Sequence, residues 1–192
     1  MNDNVLVIEK EHSFGQHTSS RNSEIIHSGI YYPQEALKTK LCVEGNRLLY
    51  SFLEKHNLPH KKCGKLIVAT NLQEQSVLEK LYKQGFKNGV ANLSLISKEQ
   101  IAEIEPDVKA SMAILAPETG IVDSHSLMLK LEQIAKAQNV IFSYNTKVND
   151  ISIKNNLYYL TLEKEEVILT SKLVVNSAGL WSDQIATMAG IN

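Results

Sequence analysis

Apolar positions along this chain fall into short unbroken runs and longer 3.6-residue stripes, and the two kinds alternate. Val5-Leu6-Val7-Ile8 is an unbroken run ending on an acid, Glu9, and predicts a buried parallel strand. Leu37, Leu41, Leu48, Leu49, Phe52 and Leu53 fall on one face and predict an amphipathic helix over 36–57. Gly45 sits on that stripe, where a small residue would admit a close neighbour, and Leu58-Pro59 stops the helix. Further on, 65–69 reads as a strand and 74–84 as a helix closed by Gly85. Ser97 to Gln100 has capping-box spacing and opens a short helix ended by Pro106, and 112–116 reads as a strand.

Gly120–Asp123 leads into a helix over 124–138, striped by Leu127, Leu131, Ile134 and Ala135, with Asn139 as its C′ residue. Val140–Phe142 is a short buried strand. Strands near 146–154, 157–162 and 166–170 follow, joined at Asn155-Asn156 and by a solvated charged turn over 163–166, and make a meander. Leu173–Asn176 is expected to be a last buried strand, running through Ser177-Ala178-Gly179 into a helix near Trp181. The alternation is α/β: a partial Rossmann-like parallel sheet from 1–58 and 119–192, with 59–118 inserted as an antiparallel second part.

Composition narrows the class. Of the 192 residues 43% are hydrophobic and 21% charged, enough to fold around a core. Net charge is −1 and no basic stripe interleaves with aromatics, which argues against nucleic acid. No apolar run has the length of a membrane span and no signal peptide is visible, since Asp3 and Asn4 break the N-terminal stretch; peripheral membrane association is left open. Cys42 and Cys63 are distant and form no CxxC, so a reducing cytoplasm is the expected setting.

The candidate chemistry gathers in His17–Tyr32, HTSSRNSEIIHSGIYY. Hydroxyls, amides, imidazoles and phenols interleave there with Ile25, Ile26 and Ile30, which should anchor the segment inward while the polar groups line a cavity. An apolar strand, a terminal acid, a polar loop and a helix are how nucleotide-binding α/β folds place groups at a sheet's carboxyl edge. Glu9 is the position from which an acid takes a ribose diol, and Gly179 lets backbone approach a ligand. His56, His60 and Cys63 cluster loosely, but Pro59 separates the histidines and no fourth ligand is close, so no metal site is assigned. Capping by Asp123 or Ser124 explains those residues better than an acid–base pair with His125.

Val5–Glu9, HTSSRNSEIIHSGIYYP, LKTKLCVEGNRLLYSF, CGKLIVAT, GIVD and LVVNSAGLWSD together resemble the FAD-dependent oxidoreductases of the D-amino-acid-oxidase superfamily, closest to the L-2-hydroxyglutarate oxidase and dehydrogenase branch. The resemblance covers nearly the whole chain. It implies an FAD-binding domain carrying an inserted part of a substrate domain, and oxidation of a small 2-hydroxy acid by hydride transfer to flavin. By position it implies Glu9 at the adenosine ribose with Lys10 flanking it. Thr18, Ser20, Arg21 and Asn22 would approach flavin and pyrophosphate, Val148 the adenine, and Ala178 and Gly179 the pyrophosphate and ribose. His27 and Tyr31 are placed on the substrate side as proton acceptor or carboxylate anchor. Glu24 stands where many relatives have Gly.

Such folds open with a GxGxxG turn roughly 20 residues before the ribose acid. Here eight residues precede Glu9 and no GxG occurs among the nine glycines. The chain is therefore expected to be a fragment lacking that segment and a C-terminal portion. The alternatives are an inactive remnant or a half-protein completed by another polypeptide, and an enzyme whose substrate is an amino acid or glycerol 3-phosphate.

Overall fold

The computed structural model describes residues 4–163 and 168–191. In chain order the elements are β1 (Leu6–Ile8), β2 (Ile25–Ile26), α1 (Leu37–Lys55), β3 (His60–Lys61), β4 (Leu66–Ala69), α2 (Leu72–Lys87), β5 (Ser94–Ser97), α3 (Lys98–Ile104), β6 (Met112–Leu115), β7 (Gly120–Val122), α4 (Ser124–Ala137), β8 (Ile141–Ser143), β9 (Val148–Lys154), β10 (Leu157–Leu162), β11 (Ile168–Ser171) and α5 (Ser182–Met188). Single 3-10 turns lie at Thr18–Ser20 and Gly179–Trp181. The fold is mixed α/β with one parallel and several antiparallel sheets.

The chain divides into two compact units, Met1–Asn22 with Met128–Asn192, and Ser23–Leu127. The 59–118 segment lies wholly within the second. In the first unit β1 pairs β8 in parallel, with Leu6 opposite Ile141 and Ile8 opposite Ser143, as the two apolar runs suggest. The pairing continues past the strand: Glu9 N–H donates to the Ser143 carbonyl (2.9 Å) and Thr146 N–H to the Glu9 carbonyl (2.9 Å). β9, β10 and β11 form the antiparallel meander. Its Asn155-Asn156 joint has both residues at positive φ, 50° and 59°, the left-handed pair that a two-residue hairpin turn needs. Of the charged turn expected over 163–166, residues 164–166 lie outside the described residues, as do 166–167 of the third strand.

Three expectations fail in this unit: the Val140–Phe142 run forms its strand at Ile141–Ser143 but is not buried, with Ile141 62% exposed, and two more runs fall short. Leu173–Asn176 forms no strand, and Leu173 and Val175 are 73% and 76% exposed. β1 pairs as expected but is not buried, since Val5, Leu6 and Val7 are all exposed. An apolar run is buried only where another strand and a covering helix meet it. Among the described residues β1 has β8 alone as a neighbour and 173–176 has none. Among the described residues, only Ile151 and Leu160 of the core hydrophobics belong to this unit.

The second unit holds the better core. The order β2-β7-β3 makes one antiparallel sheet and β4-β6-β5 another. Ile26, Tyr50, Leu53 and Val122 pack α1 onto the first. Ala69, Leu78 and Ile114 pack α2 onto the second. The Ser97–Gln100 capping box forms, with Ser97 N–H donating to Gln100 Oε1 (2.9 Å). Asn139 has φ 65° just past α4, as a C′ residue should. Gly45 does not admit a neighbour: a Cβ there would meet nothing within 4 Å. The close approach occurs at Gly120 in β7, where a Cβ would collide with the Tyr50 hydroxyl and sit 2.5 Å from the Lys61 carbonyl.

Candidate functional site

In the first unit the segment after β1 is laced to its surroundings. The Glu9 carboxylate accepts from Glu11 N–H (2.9 Å), tying the acid down at the strand's carboxyl end. Asn145 N–H donates to the Glu11 carbonyl (2.8 Å), bringing the lead-in to Val148 against the same segment. Lys10 Nζ stands 3.1 Å from the centroid of the Trp181 ring, and His17 packs edge-on to that ring at 4.6 Å. His17 Nε2 lies 2.8 Å from Glu11 Oε1. These contacts hold the 178–181 turn, with Ala178 and Gly179, against the loop that follows Glu9. Gly179 has φ 56° and open space where a Cβ would stand. Lys10 thus flanks Trp181, and Trp181 is a structural partner of this loop.

Thr18 to Asn22 behave differently. The Ser20 hydroxyl donates to the Gly15 and His17 carbonyls, and the Asn22 amide to those of Thr18 and Ser19. These groups fold the 15–22 loop on itself around its 3-10 turn. Thr18, Arg21 and Asn22 are exposed.

His27 and Tyr31 belong to the second unit, in a segment whose carbonyls are held by side-chain amides. Asn46 of α1 donates to the His27 carbonyl (3.1 Å) and the Glu118 carbonyl (2.9 Å). Gln84, in the last turn of α2, donates to the carbonyls of Ile30 and Tyr32, both at 3.1 Å. Asn88, capping that helix, donates to those of Gly29 (2.9 Å) and Tyr32 (3.0 Å). Ile26, Ser28 and Ile30 are buried, so the isoleucines anchor the segment as expected. Gly29 takes φ 94°, and a Cβ there would stand 2.9 Å from a Val43 methyl. His27 and Tyr31, at alternate positions, are left exposed on this rigid strip.

Lys65 Nζ lies 4.7 Å from the Tyr31 ring centroid, and Lys38 Nζ 4.3 Å from that of Tyr32. Partial burial of the imidazole, then the Lys65 and Lys38 charges, holds the His27 pKa below the ordinary histidine value. A neutral imidazole is a proton acceptor. A cleft of about 590 Å³ in this unit is lined by Ser28, Asn46, Arg47, Tyr50, Lys62 and Glu118, and it includes neither His27 nor Tyr31.

Glu24 has φ 54°, the left-handed region where glycine is at ease. Its carboxylate accepts from Ser124 N–H (3.0 Å) and the Ser124 hydroxyl (2.6 Å), and those bonds lower its pKa. It binds the start of α4. Asp123 caps the same helix, accepting from Ser126 N–H (2.9 Å). Among the described residues no group of three metal-ligating side chains gathers.

Sequence reasoning did not single out Lys38, Lys65 or the pinning amides. Lys65 lies inside the CGKLIVAT stretch, the one signal that could have marked it.

An acid at the carboxyl end of a parallel strand, with an open left-handed glycine on a turn held beside it, is an arrangement that dinucleotide-binding α/β proteins use. The chain belongs to the FAD dependent oxidoreductase family (DAO), whose model matches residues 2–192. It is 39% identical over 198 residues to human mitochondrial L-2-hydroxyglutarate dehydrogenase, covering 97% of this chain and 42% of the relative. It is 37% identical over 211 residues to the Arabidopsis thaliana mitochondrial L-2-hydroxyglutarate dehydrogenase, covering 95% of this chain and 44% of the relative. The chain thus spans less than half the length of these curated relatives. Among solved structures it is similar to FAD-bound L-alpha-glycerophosphate oxidase from Mycoplasma pneumoniae (28% identity, TM-score 0.90, 97% of this chain and 50% of that one). Glycine oxidase from Geobacillus kaustophilus shares the fold at 19% identity and TM-score 0.85, over 98% of this chain and 52% of that one.

The residues present fit the adenosine half of FAD: Glu9 offers a half-buried carboxylate for a ribose diol, and Gly179 offers an approach clear of any Cβ clash. The chain carries no GxG turn for the pyrophosphate.

Proposed function

We propose that this chain is part of an FAD-dependent oxidoreductase that oxidises a small 2-hydroxy acid of the L-2-hydroxyglutarate kind. The observation that carries the reading is a partly desolvated His27, biased toward its neutral form, beside Tyr31 on a strip clamped by Asn46, Gln84 and Asn88. Identities of 37–39% to L-2-hydroxyglutarate dehydrogenases support it. The cofactor-side residues Glu9, Lys10, Thr18, Ser20, Arg21, Asn22, Val148, Ala178 and Gly179 all lie in the first unit, and His27 and Tyr31 in the second. In this reading residues 1–58 and 119–192 serve the cofactor domain and 59–118 the substrate domain.

FAD held by Glu9, Ala178 and Gly179 would supply the two-electron hydride acceptor for the carbon bearing the hydroxyl. His27 takes the hydroxyl proton, so that a 2-oxo acid results. Tyr31 donates its phenol hydrogen to the substrate carboxylate beside the reacting carbon. Glu9 accepts hydrogen bonds from the adenosine ribose, and Ala178 and Gly179 line the approach next to it. No helix among the described residues is long and apolar enough to cross a membrane. The free cysteines Cys42 and Cys63 support a reducing compartment such as the cytoplasm.

A second reading, an incomplete protein that needs another polypeptide in trans, is favoured by the exposed β1 run and the exposed 173–176 segment. One experiment addresses both. The chain is assayed for L-2-hydroxyglutarate oxidation with added FAD and an artificial acceptor, alone and with a polypeptide supplying a GxGxxG segment. Where turnover appears, His27→Ala should reduce it more than it reduces flavin content. Turnover unchanged by that substitution removes His27 from the mechanism.

A further inference from the structure

His27, Lys38 and Lys65 bring three basic groups to one side of the second unit, with both ammonium charges acting on the imidazole. Lys65 is half-buried, and its backbone is fixed by paired hydrogen bonds with Ala116 (3.1 and 2.9 Å) just before β4. Its ammonium stands over the Tyr31 ring, while that of Lys38 stands over Tyr32. Among the described residues neither ammonium has a carboxylate within salt-bridge distance, whereas Lys62 and Lys136 are paired with Glu118 and Glu132. Lys38 also sits in the first turn of α1, which carries no acid. A helix start already bears partial positive charge, so a lysine there adds to it instead of cancelling it. Ammonium groups without a close carboxylate at a half-covered surface favour an anion of matching charge.

A monocarboxylate held at Tyr31 and His27 brings one negative charge. That leaves the field of two lysines and a helix start under-matched, and a second carboxylate would complete the match. We propose that Lys65, assisted by Lys38, binds the distal carboxylate of a dicarboxylic 2-hydroxy acid and so selects diacids over monoacids at the His27–Tyr31 site. This rests on the 2-hydroxy-acid reading above and names the residues that would set its substrate class. Lys65 is the main anchor because its backbone is fixed and its stem is half-covered; Lys38 contributes mostly field.

The test is ligand binding to the full chain, followed by NMR at the Tyr31 ring. The ligands are L-2-hydroxyglutarate, L-2-hydroxypentanoate (the same carbon chain without the second carboxylate), glutarate and pentanoate. Wild type should bind L-2-hydroxyglutarate about tenfold or more tighter than L-2-hydroxypentanoate, as a hydrogen-bonded charge pair implies. Lys65→Met, which keeps an apolar stem on Tyr31, should abolish most of that difference and leave the monoacid nearly unchanged. Lys65→Arg should restore it. Lys38→Met should give a smaller loss.

Equal binding of diacid and monoacid by wild type overturns the inference. So does an equal loss for both acids in Lys65→Met, or a Tyr31 ring that no diacid perturbs. If glutarate binds as tightly as L-2-hydroxyglutarate and is lost in Lys65→Met, diacid selection stands while the 2-hydroxy-acid reading falls. If L-2-hydroxypentanoate outbinds pentanoate but the second carboxylate adds nothing, the reading stands and the inference falls.

Discussion

Gly120→Ala and Gly45→Ala add the same methyl group and should move stability in opposite directions. At Gly120 the new Cβ collides with the Tyr50 hydroxyl, comes within 2.5 Å of the Lys61 carbonyl and lies 3.2 Å from Lys62 Cα. Neither obstacle yields cheaply. Lys61 pairs with Ile121 across β3 and β7, and Tyr50 is packed with Ile26, Leu53 and Val122 while donating to the Glu118 carbonyl (3.3 Å). Overpacking of this kind costs about 1–3 kcal/mol, and loss of the Tyr50 hydrogen bond adds about 1 kcal/mol. For a cooperative unit of this size each kcal/mol moves Tm by about 4–8 °C, so a fall on the order of 10 °C or more is expected. At Gly45, inside α1, a Cβ meets nothing within 4 Å. Replacing an unstrained helical glycine with alanine should stabilise by about 0.5–1 kcal/mol, or a few degrees. Thermal and urea unfolding of both variants and of Gly120→Ala/Tyr50→Phe make the assay. Removing the hydroxyl should relieve part of the clash, so the double variant should be less destabilised than the sum of its parts. A Gly120→Ala protein as stable as wild type, or a destabilised Gly45→Ala, refutes the packing argument.

Four other outcomes are expected. The chain purified alone should hold FAD weakly. Two or three hydrogen bonds from an absent GxGxxG turn, each worth about 1.5–3 kcal/mol, amount to a thousandfold or so in affinity; a yellow, stoichiometrically flavin-loaded preparation contradicts this. Lys65→Met should raise the His27 pKa toward the ordinary histidine value, because one of the charges lowering it is gone; an NMR titration that stays put or moves down argues against the Lys65–His27 proximity. Burial and the bond to Glu132 (2.7 Å) push the Tyr144 hydroxyl up to about 12, so its contribution should be intact below the unfolded value of about 10 and decline as pH rises toward 12; Tyr144→Phe should flatten that alkaline limb in chemical denaturation. The Lys62 ammonium, then desolvation-opposed bonding from Asn92, leaves the Glu118 carboxyl below its usual range, so its contribution is present above the ordinary glutamate pKa and lost as pH falls through the lowered one; Lys62→Met should shrink the acid loss of stability.

How much of this could be read from the chain depended on whether the cause was local. The Ser97 capping box, the Asn139 C′ position and the parallel pairing of the two apolar runs follow from spacing, cap chemistry and run length, and the structure shows them. β2 and β3 are two residues each, too short for a pattern, and exist because β7 lies between them. The 173–176 run carries the composition of a strand without a partner to pair with. Gly45 and Gly120 look alike in sequence; only packing separates the empty flank of one from the crowded flank of the other. The polar density of 17–32 marked a region to search but not its division between inward loop bonds at 18–22 and the exposed His27 and Tyr31. Lys38 and Lys65 were invisible because a lysine at a helix start or beside a strand reads as solvated until its neighbours are known. Glu24 holds a left-handed position, and its Ser124 contacts lie 100 residues away in sequence.

Trp181 is the only tryptophan in the chain, and it sits under an ammonium and edge-on to an imidazole beside the proposed adenosine site. Its fluorescence is therefore a built-in gauge that needs no label. Lys10→Met should alter its intensity, and unfolding of the first unit should shift it to the red. Adenosine or ADP docking at Glu9 and Gly179 would change the same signal without any flavin colour, so the nucleotide half of the site can be titrated separately from the chemistry.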